Sequence, residues 1–164
     1  MTKHQTINHP FKPVFQADSE ILILGSFPSV KTREYGFYYG HPQNRFWSLL
    51  ERVFDVRLNT DIEERKAFLR QHKIALHDVI YRCDIIGSDD ASILNVVPAD
   101  LSIIFEEAEI KYVFCNGKTA YRLYQKYQEH KTGYKAILLP STSPANAKYS
   151  MDDLYSQWKK IREY

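Results

Sequence analysis

The feature that most restricts the fold of this chain is a regular alternation of short apolar runs with stretches whose apolar residues recur at helical spacing. Glu20–Leu24, Ile74–Ile80, Lys111–Cys115 and Ala136–Leu139 read as strands. Between them, Phe46, Trp47, Leu49, Leu50, Val53 and Phe54 mark an amphipathic helix, and Asp61–Gln71, closed by His72-Lys73, marks a second. A helix opening at Pro98 carries Leu101, Ile104, Phe105 and Ala108; another carries Ala120, Leu123, Tyr124 and Tyr127; the last carries Met151, Leu154, Tyr155, Trp158 and Ile161. Strands that alternate with helices pair in parallel and are covered on both faces. The expectation is an α/β fold, a three-layer α/β/α sandwich on a central four-stranded parallel sheet. With 44% hydrophobic residues, no linker and no internal repeat, residues 1–164 are expected to form a single domain. Met1–Asp18 reads as a polar lead-in, and Tyr81–Ile86 precedes a turn at Gly87–Asp90.

In open parallel sheets, ligands bind beyond the carboxyl ends of the strands. The first strand delivers Gly25-Ser26-Phe27-Pro28-Ser29, the third Asn116-Gly117, and the fourth Pro140-Ser141-Thr142-Ser143-Pro144-Ala145-Asn146. From Gly25 to Trp47 the chain is a loop rich in Gly, Pro, Tyr and Phe, longer than a strand-to-helix connection needs, and such loops usually serve binding or catalysis. None of these turns is a phosphate-cradling P-loop or a GxGxxG dinucleotide turn, and GxSxG and HExxH are both absent. What remains is a pocket of amides, hydroxyls and aromatic rings. It suits a flat, uncharged ligand such as a nucleobase, which rings stack upon and amides read at the edge.

A formal net charge of +2 means that any nucleic-acid contact must come from a local patch, for which Lys31, Arg33, Lys118, Arg122 and Lys148 are the candidates. Cys83 and Cys115 are too few for a cysteine-ligated cluster and sit in apolar surroundings. The amino terminus has no apolar signal region and no stretch is of membrane-spanning length, so a soluble cytoplasmic protein is expected.

The motifs Gly25-Ser26-Phe27-Pro28-Ser29, Tyr39-Gly40-His41-Pro42-Gln43-Asn44-Arg45-Phe46-Trp47 and Leu139-Pro140-Ser141-Thr142-Ser143-Pro144-Ala145 resemble the hypoxanthine-DNA (deoxyinosine) glycosylase branch of the uracil-DNA glycosylase superfamily. The HPQNRFW segment is also similar to that of mismatch-specific uracil-DNA glycosylases, so it alone places the superfamily and not the branch. The resemblance implies a DNA N-glycosylase of base excision repair that hydrolyses the bond between a deaminated base and deoxyribose. It implies DNA containing deaminated bases as partner, a monomer, and no metal or cofactor. By the same resemblance Asn44 and Asn116 are catalytic, and Gly25, Ser26, Phe27, Pro28, Tyr39, His41, Ser141, Thr142, Ser143 and Pro144 bind substrate.

Two departures stand out. The third position of the first motif is Asp or Asn in most of the superfamily, where it handles the attacking water; here it is Phe27, whose ring can only stack. The late motif has no His to stabilise the leaving base. Each residue also has a plainer reading. Asn44 can cap a helix, Asn116-Gly117 can be a strand-ending turn, Ser141 to Ser143 can cap the next segment, and His41 and His77 can be structural. Of Tyr35, Phe37, Tyr38 and Tyr39, one or two are expected in the site. Two alternatives stay open: a glycosylase for uracil or mismatched bases, and a non-catalytic nucleic-acid-binding module.

Overall fold

The computed structural model describes residues 3–164. In chain order the elements are β1 (Gln5–Asn8), β2 (Ile21–Gly25), α1 (Val30–Tyr35), α2 (Phe46–Phe54), α3 (Ile62–Gln71), β3 (Ile74–Asp78), β4 (Ile80–Ile85), β5 (Leu94–Pro98) and α4 (Ser102–Glu107). They continue with β6 (Tyr112–Asn116), α5 (Lys118–Tyr127), α6 (Glu129–Thr132), β7 (Ala136–Leu139) and α7 (Met151–Trp158), followed by a 3-10 turn over Lys159–Glu163.

The central sheet has the order β3-β2-β6-β7 and is parallel throughout, as the strand and helix alternation predicts. Strand β2 is buried along its whole length, and its side chains alternate between two cores. Ile21 and Ile23 join Leu50, Phe68, Leu154 and Trp158 under α2, α3 and α7. Leu22 and Leu24 join Leu101, Ile104, Leu123 and Tyr124 under α4 and α5. Helix α7 is anchored at its start by a capping box, in which the Ser150 hydroxyl accepts from Asp153 N and the Asp153 carboxylate accepts from Ser150 N. Fully burying residues such as Leu154, Trp158 and Ile161 contributes roughly 1.5–3 kcal/mol each.

The structure corrects four sequence expectations. The run Ile74–Ile80 is not one strand. Val79 N donates to Gly25 O at 2.9 Å, the chain turns there, and β3 ends at Asp78 while β4 begins a second sheet. That sheet, order β1-β4-β5, is antiparallel and packs Ile80, Cys83 and Ile85 onto the α4 and α5 side of the core. The lead-in expected over Met1–Asp18, whose first two residues lie outside the described ones, holds β1, which is mostly exposed and so lacks an apolar signature. Pro98 ends β5 instead of opening a helix, and α4 starts at Ser102. The loop after β2 contains α1, capped by Ser29 and closed by Gly36 at φ +94°, a left-handed conformation that glycine adopts freely.

Candidate active site

All four strands of the central sheet end on one edge, and a cleft of about 840 Å³ opens there. Each residue that the sequence nominates lines it: Gly25, Ser26, Phe27 and Pro28 after β2; Tyr39, His41 and Asn44 before α2; Asn116 after β6; and Ser141 to Pro144 after β7. Lys118 and Lys148 reach the cleft as well, whereas Arg122 is exposed away from it.

Thr142, fully buried, ties the motif turns together. Its hydroxyl donates to Asn44 Oδ1 at 2.8 Å and accepts from Asn116 Nδ2 at 3.0 Å. Its backbone N–H donates to Asn116 Oδ1 at 3.0 Å, and its carbonyl accepts from Arg45 N at 3.1 Å. A backbone N–H can only donate, so these bonds fix which end of each amide is oxygen. Asn44, one position before the N-cap Arg45, also accepts at Oδ1 from Phe46 N at 2.9 Å, the first unpaired N–H of α2, so its two lone pairs are engaged and Nδ2 has no partner among the described residues. Capping and site roles therefore coexist in Asn44. Asn116 is clamped at both ends by Thr142, and the amide edge that the sequence offers for base reading is largely used inside the protein.

Arg45 braces the late motif. Its guanidinium donates to the carbonyls of Ser143 at 3.3 Å, Asn146 at 3.1 Å and Tyr149. Within the turn, Ser141 Oγ accepts from Ser143 N at 3.1 Å and Ser143 Oγ from Ala145 N at 3.2 Å, and each hydroxyl keeps its hydrogen to donate. Opposite, Phe27 is half-buried against the second core. His9 meets it edge-on at 5.9 Å, and the Arg33 guanidinium lies 5.7 Å from its ring centre. Ser26 Oγ stands 3.5 Å from Asp90 Oδ2, the limit of a hydrogen bond. His41 accepts from Gln43 N at Nδ1, at 3.0 Å, so its Nε2 carries the proton.

Of the four loop aromatics, Tyr38 and Tyr39 line the cleft, while Phe37 stacks on Trp47 and the Tyr35 hydroxyl donates to the Thr60 carbonyl. Tyr39 has φ +56°, which is strained for a bulky residue, and its ring stacks on Phe46 at 4.0 Å between centres. Its hydroxyl is buried and has no hydrogen-bond partner among the described residues. It lies near enough to Asn116 for that amide to oppose the rise in its pKa, without a hydrogen bond of ordinary geometry between them. Burial, and then the nearby Asp78 charge, raise the Tyr39 hydroxyl far above the ordinary tyrosine range, so it stays a proton donor.

The sequence reading did not nominate Asp78, because with the strand extended to Ile80 it falls mid-strand. In the structure it ends β3, lines the cleft and is only 4% exposed. His9 Nε2 donates to Asp78 Oδ2 at 2.7 Å. Behind it, Tyr38 donates to the Lys12 carbonyl at 2.8 Å, so it accepts from His77 Nδ1–H, also at 2.8 Å. Burial pushes His77 down to about 4, with the neighbouring Asp78 opposing the shift and His9 adding to it. Burial pushes the Cys83 and Cys115 thiols up to about 11 and about 12, so neither offers a thiolate. Among the described residues no three His, Cys, Asp or Glu side chains gather as metal ligands, and no helix is long and apolar enough to cross a membrane.

The model of the uracil DNA glycosylase superfamily matches residues 12–163. A hypoxanthine DNA glycosylase of Methanosarcina barkeri is 34% identical over 152 residues, covering 90% of this chain and 93% of its own. One of Methanosarcina acetivorans is 31% identical over 159 residues, covering 94% and 98%. A Methanosarcina acetivorans protein solved in solution by NMR, and provisionally assigned as a uracil DNA glycosylase, superimposes with a TM-score of 0.80 at 31% identity, covering 96% of each chain.

Proposed function

The chain belongs to the uracil DNA glycosylase superfamily, and from that membership we propose that it removes hypoxanthine from deoxyinosine in DNA by hydrolysing the N-glycosidic bond. Its substrate is DNA carrying deaminated bases, which it meets as a cytoplasmic monomer. The observation that carries the reading is the Asn44–Thr142–Asn116 relay, which brings three motif turns from distant parts of the chain onto one cleft wall.

A base inside a duplex cannot reach this cleft, so the nucleotide is extruded, at a cost of a few kcal/mol that is least for a poorly paired base. Phe27 offers a ring face for stacking, and the hydroxyls of Ser141 and Ser143 donate to backbone phosphates. Cleavage develops oxocarbenium character on the sugar and negative charge on the departing base. Asn44 Nδ2 donates to a water oxygen, leaving the water's other lone pair for C1′. A cationic sugar is electrophilic enough for neutral water, and the proton leaves to solvent once the C–O bond forms, so positioning outweighs activation. This answers the missing carboxylate at Phe27 without needing a replacement for it.

The cleft lysines Lys118 and Lys148 lie outside the motif turns, and the proposed hydrolysis uses water in place of a lysine amine or a metal, so the product is an intact strand with an abasic site. Duplexes with inosine, uracil, xanthine or ethenoadenine, incubated with EDTA and then treated with alkali, test the reading. Inosine is cleaved fastest, and only after alkali. Nicking without alkali together with borohydride trapping, or a faster reaction on uracil, overturns it.

A further inference from the structure

We propose that Asp78 and Tyr39 are the specificity-determining pair: Asp78 Oδ1 accepts the N1–H of the flipped hypoxanthine, and the Tyr39 hydroxyl donates to its O6. This rests on the deoxyinosine reading above and names the residues that separate the damaged base from adenine.

Neither atom has a hydrogen-bond partner among the described residues. Asp78 Oδ2 is occupied by His9 at 2.7 Å, whereas Oδ1 has no hydrogen-bond partner among the described residues. The Tyr39 hydroxyl is buried and also unpartnered, on a residue held at φ +56°. Both border the space that glycine leaves at position 25: a Cβ there would stand 2.5 Å from Asp78 Oδ1 and 2.9 Å from the Tyr39 hydroxyl. A carboxylate oxygen without a protein partner and a buried, unpartnered hydroxyl thus lie near one another at the cleft wall, and among the described residues the Tyr39 hydroxyl is one of two buried side-chain polar atoms left so.

Depth decides which part of the nucleotide they meet. The deoxyribose carries the chain and stays at the mouth, while N1 and O6 are the atoms of hypoxanthine farthest from the glycosidic bond. Half-buried Asn44 serves the sugar end; Asp78 and the Tyr39 hydroxyl, both buried, serve the distal edge. Hypoxanthine presents a donor at N1 and an acceptor at O6, the complement of this pair. Adenine presents the reverse, an N1 lone pair and an N6 amino group, and its N1 lone pair would face a carboxylate. An amide reader can rotate to accept either pattern. A carboxylate cannot, and it is therefore the stricter choice against the adenine that fills undamaged DNA.

The pair rejects adenine and cytosine. Guanine and thymine share the N–H and carbonyl edge, and their exclusion rests on other contacts and on the cost of opening sound pairs. A carboxylate beside a departing anion also slows departure, so the contact serves selection, with His9 taking up part of its charge.

The test measures binding to duplexes carrying an uncleavable 2′-fluoro nucleotide with either hypoxanthine or adenine. Wild type prefers hypoxanthine. In Asp78→Asn, His9 keeps the amide oxygen and turns the NH₂ toward the base, so the preference falls by about 10-fold or more and moves toward adenine. Tyr39→Phe keeps the stack on Phe46 and breaks no existing hydrogen bond. It melts as wild type while binding hypoxanthine roughly 10-fold more weakly and adenine equally well, and it carries the test if Asp78→Asn does not fold. An unchanged preference in both variants overturns the proposal. So does an Asp78→Asn protein that loses cleavage but keeps its binding preference, which would make Asp78 a general base. Failure of wild type to release hypoxanthine from a cleavable inosine duplex overturns the glycosylase reading itself, and is seen without any variant.

Discussion

Thr142→Val is the sharpest probe of the relay, because it exchanges a hydroxyl for a methyl group of similar size at a site with no exposed surface. The substitution leaves Asn44 Oδ1 with only Phe46 N as donor, and Asn116 Nδ2 without its acceptor. A buried polar group left unpaired costs about 1–3 kcal/mol. Asn116 bears that in full, whereas half-buried Asn44 recovers part of it from water, so the sum is about 3 kcal/mol. For a chain of this size a loss of 1 kcal/mol lowers Tm by roughly 2–4 °C, which places the expected drop at about 6–12 °C. Asn44 then keeps its helix-capping bond but can swing about it, and single-turnover cleavage of an inosine duplex falls by roughly 10-fold. Thr142→Ser, which retains the oxygen, stays near wild type in rate. Combining Thr142→Val with Asn44→Ala yields a coupling of roughly 0.5–3 kcal/mol, since each change removes the same bond. A Thr142→Val protein that melts and cleaves like wild type refutes the relay.

Asn44→Ala is expected to lower single-turnover cleavage by roughly 10²-fold with DNA binding nearly intact; full activity in a folded variant returns Asn44 to helix capping alone. Gly25→Ala forces a Cβ to within 2.5 Å of Asp78 Oδ1, which His9 prevents from yielding, so stability falls by about 1–3 kcal/mol and inosine cleavage with it. Thermal melting across pH reports on His77. Folding lowers its pKa from near 6.5 to about 4, so between those values the unfolded chain binds more protons and stability is lost as pH falls, by about 3 kcal/mol at the acid end. His77→Gln flattens that part of the profile, and an unaltered acid loss in the variant assigns it to other groups. Affinity for DNA should decline with salt on a shallow slope, because among the described residues Lys118 and Lys148 are the only lysines or arginines that line the cleft.

The sequence alone carried the parallel sheet, because Ile21–Leu24 and its counterparts are apolar on both faces and each is followed by residues at helical spacing. It carried the candidate cleft as well, since parallel strands place the turns at Gly25, Asn116 and Pro140 on one edge in any strand order. It did not carry the small antiparallel sheet: β1 is mostly exposed and β5 is at best half-buried, so neither shows the alternation of buried and exposed residues by which a strand is read. Nor did it carry Asp78 or His9. Asp78 ends an apolar run that continues into Val79 and Ile80, and only the bond from Val79 N to Gly25 O shows that the strand stops and the carboxylate turns into the cleft. His9 lies 69 residues away in a polar lead-in, and nothing local marks it as a partner. Side-chain periodicity records which face of an element is buried. Which unpaired polar atoms then meet across that buried space depends on contacts between distant segments, and only the tertiary structure decides it.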